Sequence, residues 1–118
     1  MKAGKVWGET SVLLSTPTVE VHALRILPNA HCSLHRHVGR WNAFVVTKGR
    51  VLIEVHQEDY NLVDVTEAVP GTLTTVRPGL WHRFRTEAEG AECLEIYYTP
   101  SLGASDIERR DVGGLAAS

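Results

Sequence analysis

Cysteine is scarce: Cys32 and Cys93 are the only two in 118 residues, and they lie far apart without Cys-x-x-Cys spacing. The chain therefore has no paired-thiol metal or redox motif, and in a reducing compartment its two thiols read as small buried side chains that could still neighbour each other across a barrel. An excess of one charge is also missing. The formal net charge of −2 offers no electrostatic basis for a nucleic-acid partner. Long apolar runs are absent, since no segment approaches the ~20 residues that cross a bilayer. The opening stretch "MKAGKVWGETS" is broken by Gly4 and Gly8 before the apolar region of a secretory signal can develop. These absences predict a cytoplasmic protein with neither a nucleic-acid nor a membrane role.

Helix signals are equally thin. The one plausible piece is "SDIERRD", where Ser105 or Asp106 could cap a short turn before Gly113-Gly114 stops it, leaving residues 113–118 as a flexible tail. No repeat or low-complexity segment occurs, and 118 residues fit one domain with a working core.

What the chain has is strand. Val19–Leu27, Ala43–Gly49, Arg50–His56, Thr72–Val76, His82–Thr86 and Cys93–Thr99 are short, rich in β-branched or aromatic residues and often alternating. Turn signals separate them: Pro28-Asn29, Lys48-Gly49, Glu58-Asp59, Pro70-Gly71, Pro78-Gly79 and Glu89-Gly90. The pattern predicts an all-β, single-domain fold, an antiparallel barrel or jelly roll. Sheet edges left open in such folds often pair between subunits, so a homodimer is expected.

Chemistry concentrates in "HRHVGRWNAFVVTKG", His35 to Gly49. On a strand, residues i and i+2 share a face, so His35 and His37 project together while Arg36 points away. Two imidazoles make half of a metal site, and a third lies after the Pro78-Gly79 turn, at His82. Zinc, iron, manganese and nickel centres commonly combine histidine nitrogens with a carboxylate and an open position.

The combination resembles the two motifs of the cupin family. The first reads His-x-His, a short gap, Glu, six residues, Gly; here it is His35, His37, Asn42 and Gly49. The second reads Gly, five residues, Pro-x-Gly, two residues, His; here Gly71, Gly79 and His82 fall in place, with Arg77 at the usual proline position and Pro78 beside it. A closer resemblance, along nearly the whole chain, is to the cupin domain of type II mannose-6-phosphate isomerases. It rests on Val6–Gly8, the "RWNAFVVTKG" run, "PGLWHRF", "LEI" and the closing "LGASDIERRD". Three departures sit in the centre: Asn42 replaces glutamate, Ala43-Phe44 replace His-Trp, and His35 stands where that subfamily often has glutamine.

The resemblance implies a double-stranded β-helix holding a divalent ion (zinc, iron, manganese or nickel) at His35, His37 and His82, with Asn42 as a weak fourth ligand or water anchor. It also implies aldose–ketose isomerisation of a small polar molecule such as a sugar phosphate. Glu95, which alternates with Leu94 and Ile96, is then the expected base, and Tyr97 on the same face a hydrogen-bond donor to the substrate. Arg40 is the expected phosphate contact, with Arg36, Arg77, Arg83 and Arg85 as helpers. Trp41 and Trp81 flank the two motifs and could stack on a sugar ring. His22, His31 and His56 lack a second ligand at metal spacing and are expected to be surface or hydrogen-bonded residues. Another metal-dependent cupin reaction, such as a dioxygenase using iron, and a non-catalytic sugar- or metal-binding module stay open as alternatives.

Overall fold

The structure is a computed structural model that describes residues 2–99, 110 and 112–116. Among these, nine strands form in chain order: β1 (Lys2–Lys5), β2 (Gly8–Ser15), β3 (Val19–Ile26), β4 (Trp41–Lys48), β5 (Val51–Gln57), β6 (Leu62–Ala68), β7 (Leu73–Val76), β8 (Trp81–Arg85) and β9 (Ala91–Tyr98). A six-stranded sheet runs β1-β2-β3-β9-β4-β7, and a three-stranded sheet runs β6-β5-β8. Every ladder is antiparallel. The architecture is the all-β jelly-roll barrel expected from the strand pattern. The one helical element among the described residues is a 3-10 turn, Glu58–Tyr60, and none of them forms a helix long and apolar enough to cross a membrane. The turn expected over Ser105–Asp111 falls outside the described residues, Arg110 apart.

Strand alternation sorts the side chains. From the large sheet, Leu24, Ile26, Phe44, Val46 and Cys93 point inward; from the small one, Val51, Ile53 and Phe84 meet them, and all eight are buried. Three strands escape the sequence pattern for identifiable reasons. The first, β1, has no apolar repeat and is held by its ladder to β2. In β2 a register shift between Val12 and Leu14 interrupts the alternation. Finally, β6 is an edge strand exposed at six of its seven positions.

Outside the small sheet, Glu54 receives hydrogen bonds from Arg83 at 3.1 Å and Arg85 at 3.0 Å. Burial pushes its carboxyl up, but the hydrogen bonds and charges of the two arginines outweigh that and hold it below the usual carboxylate range. Arg83 and Arg85 are thereby occupied on the outer face, away from the barrel interior.

Two glycines bear on the site. Gly79 adopts φ +87°, and its N–H donates to the His37 carbonyl at 2.8 Å, so the turn that leads to the third histidine is tied to the segment carrying the first two. Gly8 adopts φ +152°, and a Cβ there would lie 1.9 Å from the Arg25 carbonyl oxygen. Beside it, Trp7 packs edge-on against Phe84, with ring centroids 4.9 Å apart. Gly8→Ala should therefore force β2 off β3 and destabilise the fold by about 2–3 kcal/mol, a shift readable in urea unfolding. An unchanged midpoint would show that the β2–β3 contact is not tight.

Candidate metal centre and adjoining cavity

The segment between β3 and β4 is not a regular strand. It lies along β8 through two isolated bridges, His31 to Arg85 and His35 to His82. At the second bridge the backbones exchange both hydrogen bonds, 3.0 Å from His35 N–H to His82 C=O and 2.8 Å in return. His35 and His82 are thus directly opposite, with ring centroids 4.6 Å apart, and the His37 ring lies 5.1 Å from one and 5.6 Å from the other. The ligand nitrogens of the three residues all fall within 4.8 Å of one another. Three ring nitrogens this close together could share one divalent ion.

Hydrogen bonds set the tautomers. His35 Nδ1 lies 2.7 Å from the Ser33 carbonyl and His82 Nδ1 lies 2.9 Å from the Leu80 carbonyl. A carbonyl only accepts, so each Nδ1 carries a proton; in the neutral tautomer this leaves the lone pair on Nε2, the arrangement found around metal-binding histidines. His37 Nε2 is buried without a hydrogen-bond partner. Burial, reinforced by the neighbouring charges of His35, His82 and Arg40, lowers the pKa of His37 to about 4. Burial also lowers that of His82, against the opposing Leu80 hydrogen bond. These two rings are neutral at neutral pH; the His37 lone pair is unpartnered, while that of His82 accepts from the Asn42 amide. A buried, unpartnered ring nitrogen within a cluster of nitrogen donors is what an ion-binding site requires, and the donor set fits a divalent metal.

The low pKa of His37 has a stability consequence. Between about pH 6.5 and pH 4 the unfolded chain binds a proton at this ring and the folded one does not, so stability falls as pH drops through that window and is unaffected above it. The loss expected in metal-free protein is about 1–2 kcal/mol, reduced from full linkage because the half-buried ring is partly screened. Urea unfolding at pH 7 and pH 4.5 measures it, and His37→Gln should remove that part of the slope.

Asn42, Glu95 and Tyr97 adjoin the cluster. Asn42 (1 % exposed) and Glu95 (6 % exposed) face inward from the adjacent strands β4 and β9. The amide nitrogen of Asn42 lies 3.2 Å from His82 Nε2 and 3.2 Å from Glu95 Oε2. Its carbonyl oxygen is buried without a partner. Both groups nearest the amide are acceptors, so its nitrogen faces them. Tyr97 hydrogen-bonds Glu95 and packs edge-on against His37 and His22, with centroids 4.9 and 5.4 Å away. Burial first, and then the Glu95 charge, push its hydroxyl well above the usual tyrosine range, so it remains a donor.

A cavity of about 570 Å³ opens beside the cluster, lined by His35, Glu95 and Tyr97 together with Trp7, Thr10 and His22 among others. This is within the range of small-molecule sites. His22 is a site residue that its lack of ligand spacing concealed. Its Nδ1 lies 3.4 Å from Thr10 Oγ1, and its Nε2 is buried without a hydrogen bond. The signal was present in β3: Leu24 and Ile26 point inward, so His22 shares their face.

Other expected site residues lie elsewhere. Trp41 and Trp81 each adjoin an inward residue, Asn42 and His82, so alternation turns them to the outer faces of their strands. There Trp41 stacks on Tyr98 with 17° between planes, and Trp81 receives the Arg36 guanidinium at 5.0 Å. Arg40 donates to Glu20 at 3.1 Å and lies over the Tyr97 ring at 5.4 Å, and it is not among the residues lining the cavity. Arg77 borders a smaller surface cleft beside His56 and Trp81. His31 is exposed, with Nδ1 bonded to the Cys32 carbonyl. Cys32 and Cys93 are buried and free, and burial raises their thiol pKa values to about 11 and about 12.

Solved structures share this architecture. KdgF from Halomonas sp. matches with a TM-score of 0.71 at 11 % identity, over 86 % of this chain and 89 % of that one. A cupin-2 domain from Rhodospirillum rubrum matches at 0.65 and 24 % identity, over 82 % and 63 %. The oxalate decarboxylase of Bacillus subtilis, a protein with Mn(II) centres, matches at 0.74 and 18 % identity, over 90 % of this chain and 29 % of that one. No family model and no curated protein matches the sequence. At these identities the likeness establishes the fold: the protein is a cupin-fold barrel, and its mouth carries three histidines able to hold a metal ion.

Proposed function

We propose that the protein is a metal-dependent enzyme that moves a proton between adjacent carbons of a small polyhydroxy carbonyl compound, as sugar-phosphate isomerases do. The observation that carries this reading is the buried Glu95 carboxylate, bonded by Asn42 and Tyr97, opening into the same cavity as His35. Isomerisation through an enediol needs such a base beside a polarising centre. A divalent ion held by His35, His37 and His82 would act as Lewis acid toward the substrate oxygens. Glu95 removes the proton from the hydroxyl-bearing carbon and returns it to the neighbouring one, while the hydroxyl proton passes from its oxygen to the former carbonyl oxygen of the substrate. Tyr97 fixes the carboxylate by donating to it, while Thr10 and His22 offer hydrogen bonds to substrate hydroxyls. Trp7 and Phe84 form the apolar wall that limits water beside the reacting atoms. The narrower likeness to type II mannose-6-phosphate isomerases rests on the sequence motifs, and a phosphate would have to draw Arg40 away from Glu20.

A second reading, a sugar-binding module without catalysis, is favoured by one observation: the Asn42 amide occupies the His82 lone pair that an ion would use. Elemental analysis of protein purified without added metal, followed by incubation with mannose 6-phosphate, separates the two. The enzyme reading expects one ion per chain and ketose formation, with Glu95→Gln slowing turnover about 10²–10⁴-fold. Protein free of metal and inert toward aldose and ketose phosphates would leave the binding module.

A further inference from the structure

Asn42 occupies the position where the motif has an acid, and its surroundings explain the exchange. On the β4–β9 ladder Asn42 pairs with Tyr97 and Phe44 pairs with Glu95, so Asn42 and Glu95 are diagonal neighbours on one inner face. A glutamate at position 42 would meet the Glu95 carboxylate at hydrogen-bond range with no donor between them. An amide supplies that donor. Its orientation is fixed twice: His82 Nε2 is an acceptor because Nδ1 gives its proton to Leu80, and Glu95 Oε2 is an acceptor as a carboxylate oxygen. The price of this orientation is Asn42 Oδ1, buried and unpartnered.

We infer that Asn42 is a positioning residue and not a metal ligand: its amide nitrogen holds Glu95 toward the three histidines, so the negative charge of the centre comes from β9 instead of the motif position on β4. The inference rests on the metal-centre reading above. It treats Asn42 and Glu95 as a matched pair in which the carboxylate has moved one strand over. With the His82 lone pair given to a cation, Asn42 would keep Glu95 as its remaining acceptor, and the carboxylate would lie one amide away from His82.

The test titrates metal-free wild type, Asn42→Ala, Glu95→Gln and the double variant with Zn²⁺ and Co²⁺, reading affinity by chelator competition and ligation by the Co²⁺ visible spectrum. Glu95→Gln should weaken binding about 10–100-fold, the range for partners just outside the ligand set. Asn42→Ala should weaken it less and leave the Co²⁺ bands in place, and the double variant should match Glu95→Gln alone, because Asn42 acts through Glu95. Additive losses, or Co²⁺ bands that shift in Asn42→Ala, would make Asn42 a ligand and overturn the inference. A metal-independent reading comes from the Asn42 side-chain amide ¹⁵N signal in the metal-free protein, which should move on Glu95→Gln; an unmoved signal overturns the pairing whatever the metal does. Wild type that takes up neither ion overturns the metal-centre reading itself, an outcome distinct from a wild type that binds while Glu95→Gln is unaffected.

Discussion

Replacing His82 with alanine should reduce divalent-metal affinity by more than about 100-fold, since even partners beyond the ligands cost ~10–100-fold. The residue is 2 % exposed and fixed from two directions, by its backbone bridge to His35 and by the Nδ1 bond to Leu80. Its loss leaves only His35 and His37, both on one short irregular segment, to hold an ion. The substitution also strips Asn42 of one acceptor and leaves a void, so the fold itself should lose about 2–3 kcal/mol. His56→Ala serves as the control, because His56 lies on the outer face of the same sheet, paired with Trp81. It should retain wild-type metal content. Chelator competition and elemental analysis on the three proteins decide the matter: a His82→Ala protein that keeps its ion at wild-type affinity would remove this histidine from the centre.

That three imidazoles separated by 45 positions, from His37 to His82, converge at one bridge was legible because two local signals coincided. The His-x-His spacing placed two rings together, and the Pro78-Gly79 turn before His82 supplied the third. Turn chemistry also read through: Asn29, Gly49, Gly71 and Gly79 all adopt positive φ where the turns were expected. What local pattern conveys poorly is which face of a strand a residue takes when inward and outward residues are both aromatic or polar. Trp41 and Trp81 looked like site residues by adjacency, yet adjacency along a strand means the opposite face. Partner choice is equally non-local. Nothing near Arg40 in the sequence announces that Glu20, on another strand, would engage it at 3.1 Å, and nothing near Asn42 announces Glu95. His22 was hidden for the converse reason, since its neighbours in the cavity, Thr10 and Tyr97, come from β2 and β9.

Phe44→Ala should be the most destabilising single core substitution and should also disturb the site. The ring is fully buried and meets Phe84 at 6.2 Å between centroids with 70° between planes. Phe44 belongs to the large sheet and Phe84 to the small one, so this contact joins the two layers. Each ring sits two residues along its strand from a site residue, Asn42 on β4 and His82 on β8, on the same inward face. The aromatic pair is therefore the floor beneath the 3.2 Å contact between Asn42 and His82. Deleting it removes buried apolar area and leaves a cavity between sheets, a loss of about 3–5 kcal/mol from a total stability typically of ~5–15 kcal/mol. Phe44→Leu keeps most of the volume and should lose less than about 1.5 kcal/mol. Urea unfolding gives both values, and metal titration under native conditions should find Phe44→Ala weakened while Phe44→Leu stays near wild type. If Phe44→Ala unfolds within about 1 kcal/mol of wild type, the two sheets are not locked through this pair, and the rigidity that holds the histidines in register must come from the segment bridged to β8 instead.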